Sequence, residues 1–430
     1  MVKHTLIRGR SRATLEALAA CLLLVGCGGG GSDGTGPSGT TSASGSGGGA
    51  GTTTSSGSGS GGEGGGVAVS CTRTLDPGAD VAKAIASAAD ATICLNAGSY
   101  GTVSLDGVVR ANDVTVRSAA GRTASLDAVI NQSSHVVFQS LTIAGLEIDT
   151  NQQGGTKNIS VKGCTFTGQA VVNVGKNGDA GILFDGNTFD GIGVCADCYE
   201  GRLEIISNPW SGTPSGVTIS NNHFGNKGES DGIQVGAHGV VIGPGNVFDG
   251  IVQANYARHV DAIQLYGQSH TTITGNYFVN DDTHIMAPDG GDTEIISNNV
   301  FVGGSYRPAI QLGSHVDDSF LHNTVIGVDV FINKKQEVKD KSANAVVRDN
   351  VLVDSSFGTT DSGGTPSCVG CTFDHNLFDK SGEATGTQNV FGKPLFVGGA
   401  KPSTRAGYLL QSTSPGHGAA SDGKDMGIDG

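Results

Sequence analysis

Five short segments between residues 231 and 336 repeat one pattern, with a polar or sulfur-containing residue at the centre. They read DGIQVG, DAIQLYG, THIMAPDG, AIQLGSH and VFINKKQ. Successive side chains of a strand point to opposite faces, so the apolar residues flanking each centre should point into a core. Lys334 breaks this pattern in the last segment. The central residues, which should then point outward, are Gln234, Gln264, Met286, Gln311 and Asn333.

Residues two or four positions from each central residue should point to the same outward face, and several of them are titratable. They are Tyr266, His284, Arg307 and Lys335, and on consecutive coils they would span about 14 Å. Together they offer a general acid, a general base and cations for proton transfer on a charged substrate. We expect the candidate site between about Tyr256 and Lys341. Its predicted substrate-binding residues are Gln264, Gln311, His259, Asp261 and Asn333.

A longer repeat must position these segments. Its unit is apolar–x–apolar–x–x–Asn–x–apolar, with intervals of 23 to 35 residues between β-branched, Gly-rich and turn-rich stretches. No crossover helix is evident, and short period-2 runs bounded by Gly, Asn and Asp indicate strands. The fold class is therefore all-β: a single-stranded right-handed parallel β-helix (solenoid) of about ten or more coils. The repeated asparagines are Asn187, Asn222, Asn246, Asn276, Asn299, Asn323, Asn350 and Asn376.

The asparagine position has a physical reason at a tight bend. Asn tolerates the left-handed backbone region, and its amide can hydrogen-bond the equivalent Asn one coil away. We therefore predict a structural ladder. Leu141 and Cys164 fill the same position upstream, so Cys164 should be a buried free thiol.

The repeat resembles that of the pectate-lyase-like right-handed β-helix superfamily, over roughly residues 70–430. The stretch DVAKAIASAADATICLNAGSYGTVSL is similar to the superfamily's N-terminal capping helix and first coil, which places the cap at 67–100. Cys71 and Cys94 flank it and are expected to pair there. The segment from 391 to 430, KPLFVGGAKPSTRAGYLLQSTSPGHGAASDGKDMGIDG in its main part, is similar to tails that cover the other end of such stacks.

The resemblance implies an activity on acidic glycans, because members that cleave or epimerise uronate polymers place their chemistry on such a face. It implies Lys335 or His284 as base, Arg307 as neutraliser of the carboxylate and Tyr266 as acid. The expected function is β-elimination or epimerisation of a uronate glycan. The alternative is a non-catalytic glycan-binding or adhesive module. The chain lacks the NTDGID, WIDH and YGFDPH motifs expected in some members.

No cofactor is certain from the sequence, and Ca²⁺ stays open. Three aspartate pairs could bind it through carboxylate oxygens, although Asp is also a common turn residue. They are Asp281/Asp282, Asp289/Asp292 and Asp317/Asp318. No other metal ligand set is predicted.

Two CxxC pairs each resemble half of a zinc site. The repeat puts them seven coils apart, which is about 34 Å along the axis. Shared metal binding is thereby disfavoured, and two local disulfides in an oxidising compartment are the better interpretation. The pairs are Cys195/Cys198 and Cys368/Cys371.

The first 27 residues have the basic start and apolar run of an export signal. They end in LVGC, which resembles the lipobox of bacterial lipoproteins and makes Cys27 the predicted lipidation site. Residues 28–66, rich in Gly, Ser and Thr, should form a flexible tether, followed by the β-helix domain at 67–430. We expect an exported lipoprotein at the outer membrane, the cell surface or in the periplasm.

The formal net charge of −14 argues against nucleic acid and against electrostatic docking on anionic lipid. The membrane partner should therefore be the lipid anchor alone. An acidic polysaccharide would need a local basic patch or a bridging cation. The expected partner is such a polysaccharide, bound by a monomer.

Overall fold

Short strands follow one another along the chain with little helix between them. The computed structural model describes residues 70–87, 91–151, 155–175, 180–193, 201–207, 214–225, 228, 230–253, 260–306, 308–333, 342–360, 364 and 366–430. These residues belong to a folding unit that spans Gly66–Gly430. Helical elements are α1 (Val81–Ser87) and the 3₁₀ turns Ser381–Glu383 and Arg405–Tyr408. Within these ranges, no helix is both long and apolar enough to cross a membrane.

The strands are two to nine residues long, and most of the longer ones lie in the first half of the chain. Those of the first half are β1 (Arg73–Leu75), β2 (Thr92–Leu95), β3 (Gly98–Asp106), β4 (Val114–Ser118), β5 (Ala124–Asn131), β6 (Ser134–Gln139), β7 (Thr142–Asp149), β8 (Lys157–Lys162), β9 (Thr165–Phe166), β10 (Ala170–Val174), β11 (Ile182–Asp185), β12 (Gly201–Ser207), β13 (Val217–Ser220), β14 (His223–Gly225), β15 (Asp231–Gly236), β16 (Val241–Ile242), β17 (Val247–Asp249) and β18 (Asp261–Leu265).

The strands of the second half are β19 (Thr272–Thr274), β20 (Tyr277–Val279), β21 (Thr283–Ala287), β22 (Gly291–Asp292), β23 (Ile295–Ser297), β24 (Val300–Val302), β25 (Ile310–Gly313), β26 (His315–Val316), β27 (Ser319–Leu321), β28 (Thr324–Ile326), β29 (Val330–Asn333), β30 (Ser342–Ala343), β31 (Val346–Arg348), β32 (Val351–Val353), β33 (Phe357–Gly358), β34 (Cys368–Val369), β35 (Thr372–Asp374), β36 (Leu377–Phe378) and β37 (Val390–Phe391).

These strands form four parallel sheets that run along the stack, because each coil adds one strand to each sheet it reaches. Sheet I is β1-β2-β4-β6-β8-β11-β13-β16-β19-β23-β27-β31-β35, and sheet II is β3-β5-β7-β10-β12-β15-β18-β21-β25-β29-β33, with β9 beside β7. Sheet III is β14-β17-β20-β24-β28-β32-β36-β37, and sheet IV is β22-β26-β30-β34. The result is a parallel β-helix of about eleven turns, which confirms the predicted fold class.

Inward side chains of the coils stack on their equivalents and form one continuous apolar core. Phenylalanines show this most clearly, with ring centroids 4.2 to 5.0 Å apart from coil to coil. The stacked rings are Phe166, Phe189, Phe224, Phe248, Phe278 and Phe301. Val81, Ala84 and Ile85 of α1 join the same core. The capping role of this helix stays a prediction.

The asparagine ladder is present, and all eight repeated asparagines are buried. Asn276 shows the pattern: its Nδ2 donates to Asn299 Oδ1 at 3.0 Å and to the carbonyl of Ile242 at 2.9 Å. Its backbone N–H also donates to Asn299 Oδ1, at 2.9 Å. Asn389, outside the repeat, continues the ladder by accepting from the backbone of Asn376. The side chains thus replace water for backbone groups at the bend.

Cysteines follow the predictions wherever the structure describes them. Disulfides join Cys71 to Cys94 and Cys368 to Cys371. Cys164 is a buried free thiol in the ladder position, and burial raises its pKa to about 11. Cys27, Cys195 and Cys198 lie outside the described residues.

The tail does more than extend one end of the stack. β37 adds to sheet III at its end, but the residues after it run back along the flank. Arg405 donates to the backbone carbonyl of Asn298, Ile428 N–H donates to Thr324 Oγ1, and Gly427 N–H donates to the carbonyl of Asp349. The tail therefore crosses several coils and covers apolar side chains of sheet III.

Candidate functional site

The outer face of sheet II carries the predicted polar column. In the strand register, Glu204 pairs with Gln234, Gln234 with Gln264, Gln264 with Met286, and Met286 with Gln311. Glu204, Gln234 and Gln264 are themselves buried, whereas Met286 and Gln311 are half-buried. The expected alignment of four segments is thus confirmed, and Glu204 extends the column by one coil.

The fifth segment is shifted by two residues from its predicted alignment. Gln311 pairs with Phe331, whereas Asn333 pairs with Gly313. The apolar residues Val330 and Ile332 enclose Phe331 and occupy the core positions, so the strand registers on them. Asn333 therefore lies two residues beyond the column in the strand register, and its predicted alignment was wrong.

Tyr266 follows β18 and interacts with the polar column. Its hydroxyl donates to Gln264 Oε1 at 3.0 Å. Burial raises the pKa of the phenol well above its usual value, and the negative charges of nearby carboxylates raise it further. The phenol is consequently a protonated donor at neutral pH, as a general acid must be.

Four carboxylates account for the charge around Tyr266, namely Asp231, Asp261, Glu204 and Asp289. Gln234 Nε2 donates to Asp231 Oδ2 at 2.7 Å, and the backbone N–H of Asp261 donates to Asp231 Oδ1 at 2.8 Å. The backbone N–H of Gly201 donates to Glu204 Oε1 at 3.3 Å. We call these four residues the carboxylate cluster. Carboxylates of this kind can accept hydrogen bonds from a sugar hydroxyl or a basic side chain.

His284 does not lie on the outer face, which corrects the sequence prediction. It is fully buried, with its ring centroid 5.7 Å from those of Phe278 and Phe301. Nδ1 lies 3.3 Å from Asp281 Oδ2, and Nε2 lies 2.6 Å from the carbonyl oxygen of Gly303. A buried imidazole held at both nitrogens cannot reach a polymer, so His284 is removed as candidate base.

The register explains where the imidazole fits. His284 is in line with Ala262 and Ala309 on the neighbouring coils, as the flanking pairs Ile263–Ile285 and Ile285–Ile310 show. Small side chains on both sides leave room for the ring at the start of β21. Arg202 occupies the same column at β12, opposite Gly232. It too is buried, and its Nη1 donates to the carbonyls of Phe189 and Gly225 at 2.8 and 2.7 Å.

Three further site predictions fall outside the described residues. They are Arg307, Lys335 and His259. Of the predicted substrate-binding residues that are described, Gln264 and Gln311 lie in the column and Asp261 belongs to the carboxylate cluster. The structure thus brings Tyr266, Gln264 and Asp261 together.

The three aspartate pairs do not converge on shared cation sites. Asp281 Oδ1 accepts from the Ile251 N–H and Asp282 Oδ2 from the Gln253 N–H, at 2.9 and 2.6 Å. Asp317 accepts from Asn344 Nδ2 at 3.0 Å, whereas its neighbour Asp318 is buried. Within the described ranges, one group of His, Cys, Asp and Glu side chains has ligand atoms close enough together to hold a metal. This group contains Asp318 but none of the other paired aspartates.

Sequence analysis missed Glu204 and Asp231 as parts of the site. Aligning the strand GRLEIIS with DGIQVG would have placed Glu204 on Gln234, because both have apolar residues on either side. Asp231 begins its segment and has the parity of core residues. Its contact with Gln234 arises at the turn into the strand, where strict alternation does not hold.

The fold is similar to that of two solved structures of family 6 polysaccharide lyases (PL6). The PL6 alginate lyase AlyGC is 14% identical, with a TM-score of 0.54 over 82% of this chain and 58% of that chain. The PL6 polysaccharide lyase Pedsa3628 from Pseudopedobacter saltans is 11% identical, with a TM-score of 0.51 over 75% of this chain and 91% of that one. The chain thus spans under two thirds of the length of AlyGC. No protein-family model and no curated protein sequence matches it.

Proposed function

We propose that this protein is a surface-tethered enzyme that acts on an acidic uronate glycan by β-elimination or C5 epimerisation. The proposal rests on Tyr266, whose half-buried phenol donates a hydrogen bond to Gln264 on the outer face of sheet II. The shared fold with two PL6 lyases, one of them named an alginate lyase, supports the substrate class. Lipidation at Cys27 and the tether at 28–66 remain part of the proposal.

The reaction needs three groups. A positive charge must neutralise the uronate carboxylate so that the neighbouring C–H becomes acidic, and a base must remove its proton. An acid must then protonate the leaving oxygen in elimination, or return a proton to the opposite face of the ring in epimerisation. Tyr266 supplies the acid. Because His284 is buried, Lys335 is the proposed base. Arg307 is the proposed cation that neutralises the uronate carboxylate. A divalent cation such as Ca²⁺ would be the other source of positive charge, although the carboxylate cluster is not among the described groups whose ligand atoms lie close enough together to hold a metal.

The test compares Tyr266→Phe with the parent chain on alginate, polygalacturonate, hyaluronan and chondroitin sulfate. Elimination is followed by the ultraviolet absorbance of the unsaturated uronate, and epimerisation by proton NMR. Removing a general acid should lower turnover about 100-fold or more on whichever polymer reacts. Tyr100→Phe is the matched control, since the Tyr100 hydroxyl bonds backbone carbonyls near the N-terminus and should leave turnover unchanged.

Two results would contradict the proposal. One is absence of turnover on every uronate polymer, with and without added Ca²⁺. The other is full activity of Tyr266→Phe. Retained polymer binding without turnover, measured by affinity electrophoresis, would favour the non-catalytic glycan-binding module instead.

A further inference from the structure

A buried charged cluster lies between sheets IV and I, away from the outer face of sheet II. It consists of Glu294, His315 and Asp318, whose side chains are 0%, 1% and 3% exposed. Glu294 and Asp318 occupy the same position on consecutive coils, as the pairing of the next residues, Ile295 and Ser319, shows. His315 begins β26, between them in sequence. Two adjacent coils thus direct three metal-ligating side chains into one place.

Their donor atoms converge at one ring nitrogen. His315 Nδ1 lies 3.1 Å from Glu294 Oε2 and 2.9 Å from Asp318 Oδ2. His315 Nε2 lies 3.0 Å from the carbonyl oxygen of Ala287. A carbonyl only accepts, so Nε2 carries a hydrogen and Nδ1 faces the two carboxylates. A histidine that ligates a metal characteristically donates its other N–H to such a backbone oxygen.

Protein groups leave this cluster incompletely hydrogen-bonded. Glu294 Oε1 is buried without a hydrogen-bond partner, and Asp318 Oδ2, 2.9 Å from His315 Nδ1, makes no hydrogen bond of good geometry. One coil earlier, in register with Gly291 and Glu294, the buried side chains of Gln268 and Thr271 also have no partner for their polar atoms. Orphaned polar atoms in such numbers are uncommon in a native interior.

Gly291 keeps space open beside the donor atoms. It pairs with His315 on the next coil, and a Cβ added to it would lie 2.8 Å from His315 Nδ1 and 2.9 Å from Glu294 Oε2. No positive φ requires glycine at this position. The missing side chain is therefore explained by space at the cluster rather than by backbone conformation.

Charge and spacing together select a class of ion. In the metal-bound state, two ionised carboxylates and a neutral imidazole would together balance the charge of a divalent cation. Donor atoms around a tetrahedral Zn²⁺ with bonds of about 2.0–2.1 Å are roughly 3.3 Å apart, so the present spacings need to widen by only a few tenths of an ångström. Ca²⁺ prefers six to eight oxygen ligands and fits a nitrogen-containing set of three poorly. We propose that Glu294, His315 and Asp318 form a structural site for Zn²⁺ or a similar divalent transition metal, which joins two adjacent coils.

The test is metal content of the full chain, produced with zinc in the growth medium so that the ion can enter during folding. Inductively coupled plasma mass spectrometry should find one Zn²⁺ per folded chain attributable to this site. Glu294→Gln and Asp318→Asn keep side-chain size and remove the ligand charge. Each should lower the affinity by more than the roughly 10–100-fold that loss of an outer-shell partner costs.

Asp281→Asn is the matched control, because Asp281 contacts the other buried histidine, His284, and should leave zinc content unchanged. Thermal unfolding supplies a second measurement if a variant fails to fold: the zinc-loaded parent should melt at a higher temperature than the chelator-treated parent. The proposal is overturned by a folded parent without stoichiometric zinc, by equal zinc retention in Glu294→Gln and Asp318→Asn, or by equal melting temperatures. None of these readouts depends on the proposed function.

Discussion

Replacing Asn299 by Ala tests whether the asparagine ladder stabilises the solenoid. The Asn299 side chain takes part in four hydrogen bonds inside the wall. Its Oδ1 accepts from the backbone N–H and the Nδ2 of Asn276, at 2.9 and 3.0 Å. Its Nδ2 donates to the carbonyl of Ile273 at 2.9 Å and to Asn323 Oδ1 at 3.1 Å. Alanine removes all four at a site that water does not reach.

The loss can be estimated group by group. Asn276 Nδ2 keeps a bond to Ile242, and Asn323 Oδ1 keeps a bond from the Asn299 backbone. The backbone N–H of Asn276, by contrast, loses its acceptor and stays buried, which costs about 1–3 kcal/mol. The three other bonds each contribute about 0.5–1.5 kcal/mol. Because Asn276 Nδ2 and Asn323 Oδ1 each keep one other hydrogen bond, the total loss is smaller than the sum of these terms. The free energy of unfolding should fall by roughly 3–5 kcal/mol.

Cys164→Ala provides the matched control, because Cys164 occupies the equivalent position earlier in the ladder. Its backbone N–H already bonds Asn187 Oδ1, and its sulfur makes only long contacts of 3.5 and 3.7 Å to carbonyl oxygens. That substitution should cost only about 1 kcal/mol, mainly for the small cavity. Urea unfolding followed by circular dichroism gives midpoint and slope for each chain. A loss for Asn299→Ala no larger than that for Cys164→Ala would refute the reasoning.

Two further predictions concern the cysteines. Burial raises the pKa of Cys164 to about 11, so at pH 8 only about one molecule in a thousand carries the thiolate. Alkylation of Cys164 should therefore be slow in the folded chain, and its rate should increase as the pH rises. Peptide mass spectrometry checks this, and rapid native labelling at pH 8 would count against it. Changing Cys71 and Cys94 together to Ser opens a loop closed over 23 residues and should cost about 3 kcal/mol. The same change at Cys368 and Cys371, only three residues apart, should cost less, and the reverse order of urea midpoints would contradict the loop argument.

Features that repeat once per coil could be predicted from the sequence. The Asn position recurs with the coil, and the Gln column alternates with core residues inside regular strands. Gln234, Gln264 and Gln311 therefore appear where parity places them. These features depend on local backbone geometry that every coil shares.

Features at the ends of strands could not be predicted in this way. His284 lies at the start of β21, where its direction depends on the small residues Ala262 and Ala309 of neighbouring coils. Asn333 was misplaced because the register of β29 follows its apolar residues. The cluster of His315 with Glu294 and Asp318 has no sequence signature either, since it depends on which positions of two coils coincide.

The charge of the candidate face limits how the proposed reaction can proceed. Tyr266 is surrounded by the four members of the carboxylate cluster, and the whole chain is strongly acidic. These four carboxylates would repel a uronate carboxylate at close range unless positive charge lies beside them. Under the proposed function, Arg307 and Lys335 would supply the positive charge that binding of the anion needs. The same negative charges raise the pKa of Tyr266, so they keep the phenol protonated but also make it a weaker acid. Under the proposed function, positive charge placed beside the phenol would both attract the anion and lower the pKa of Tyr266, so substrate affinity and acid strength would be coupled at this face.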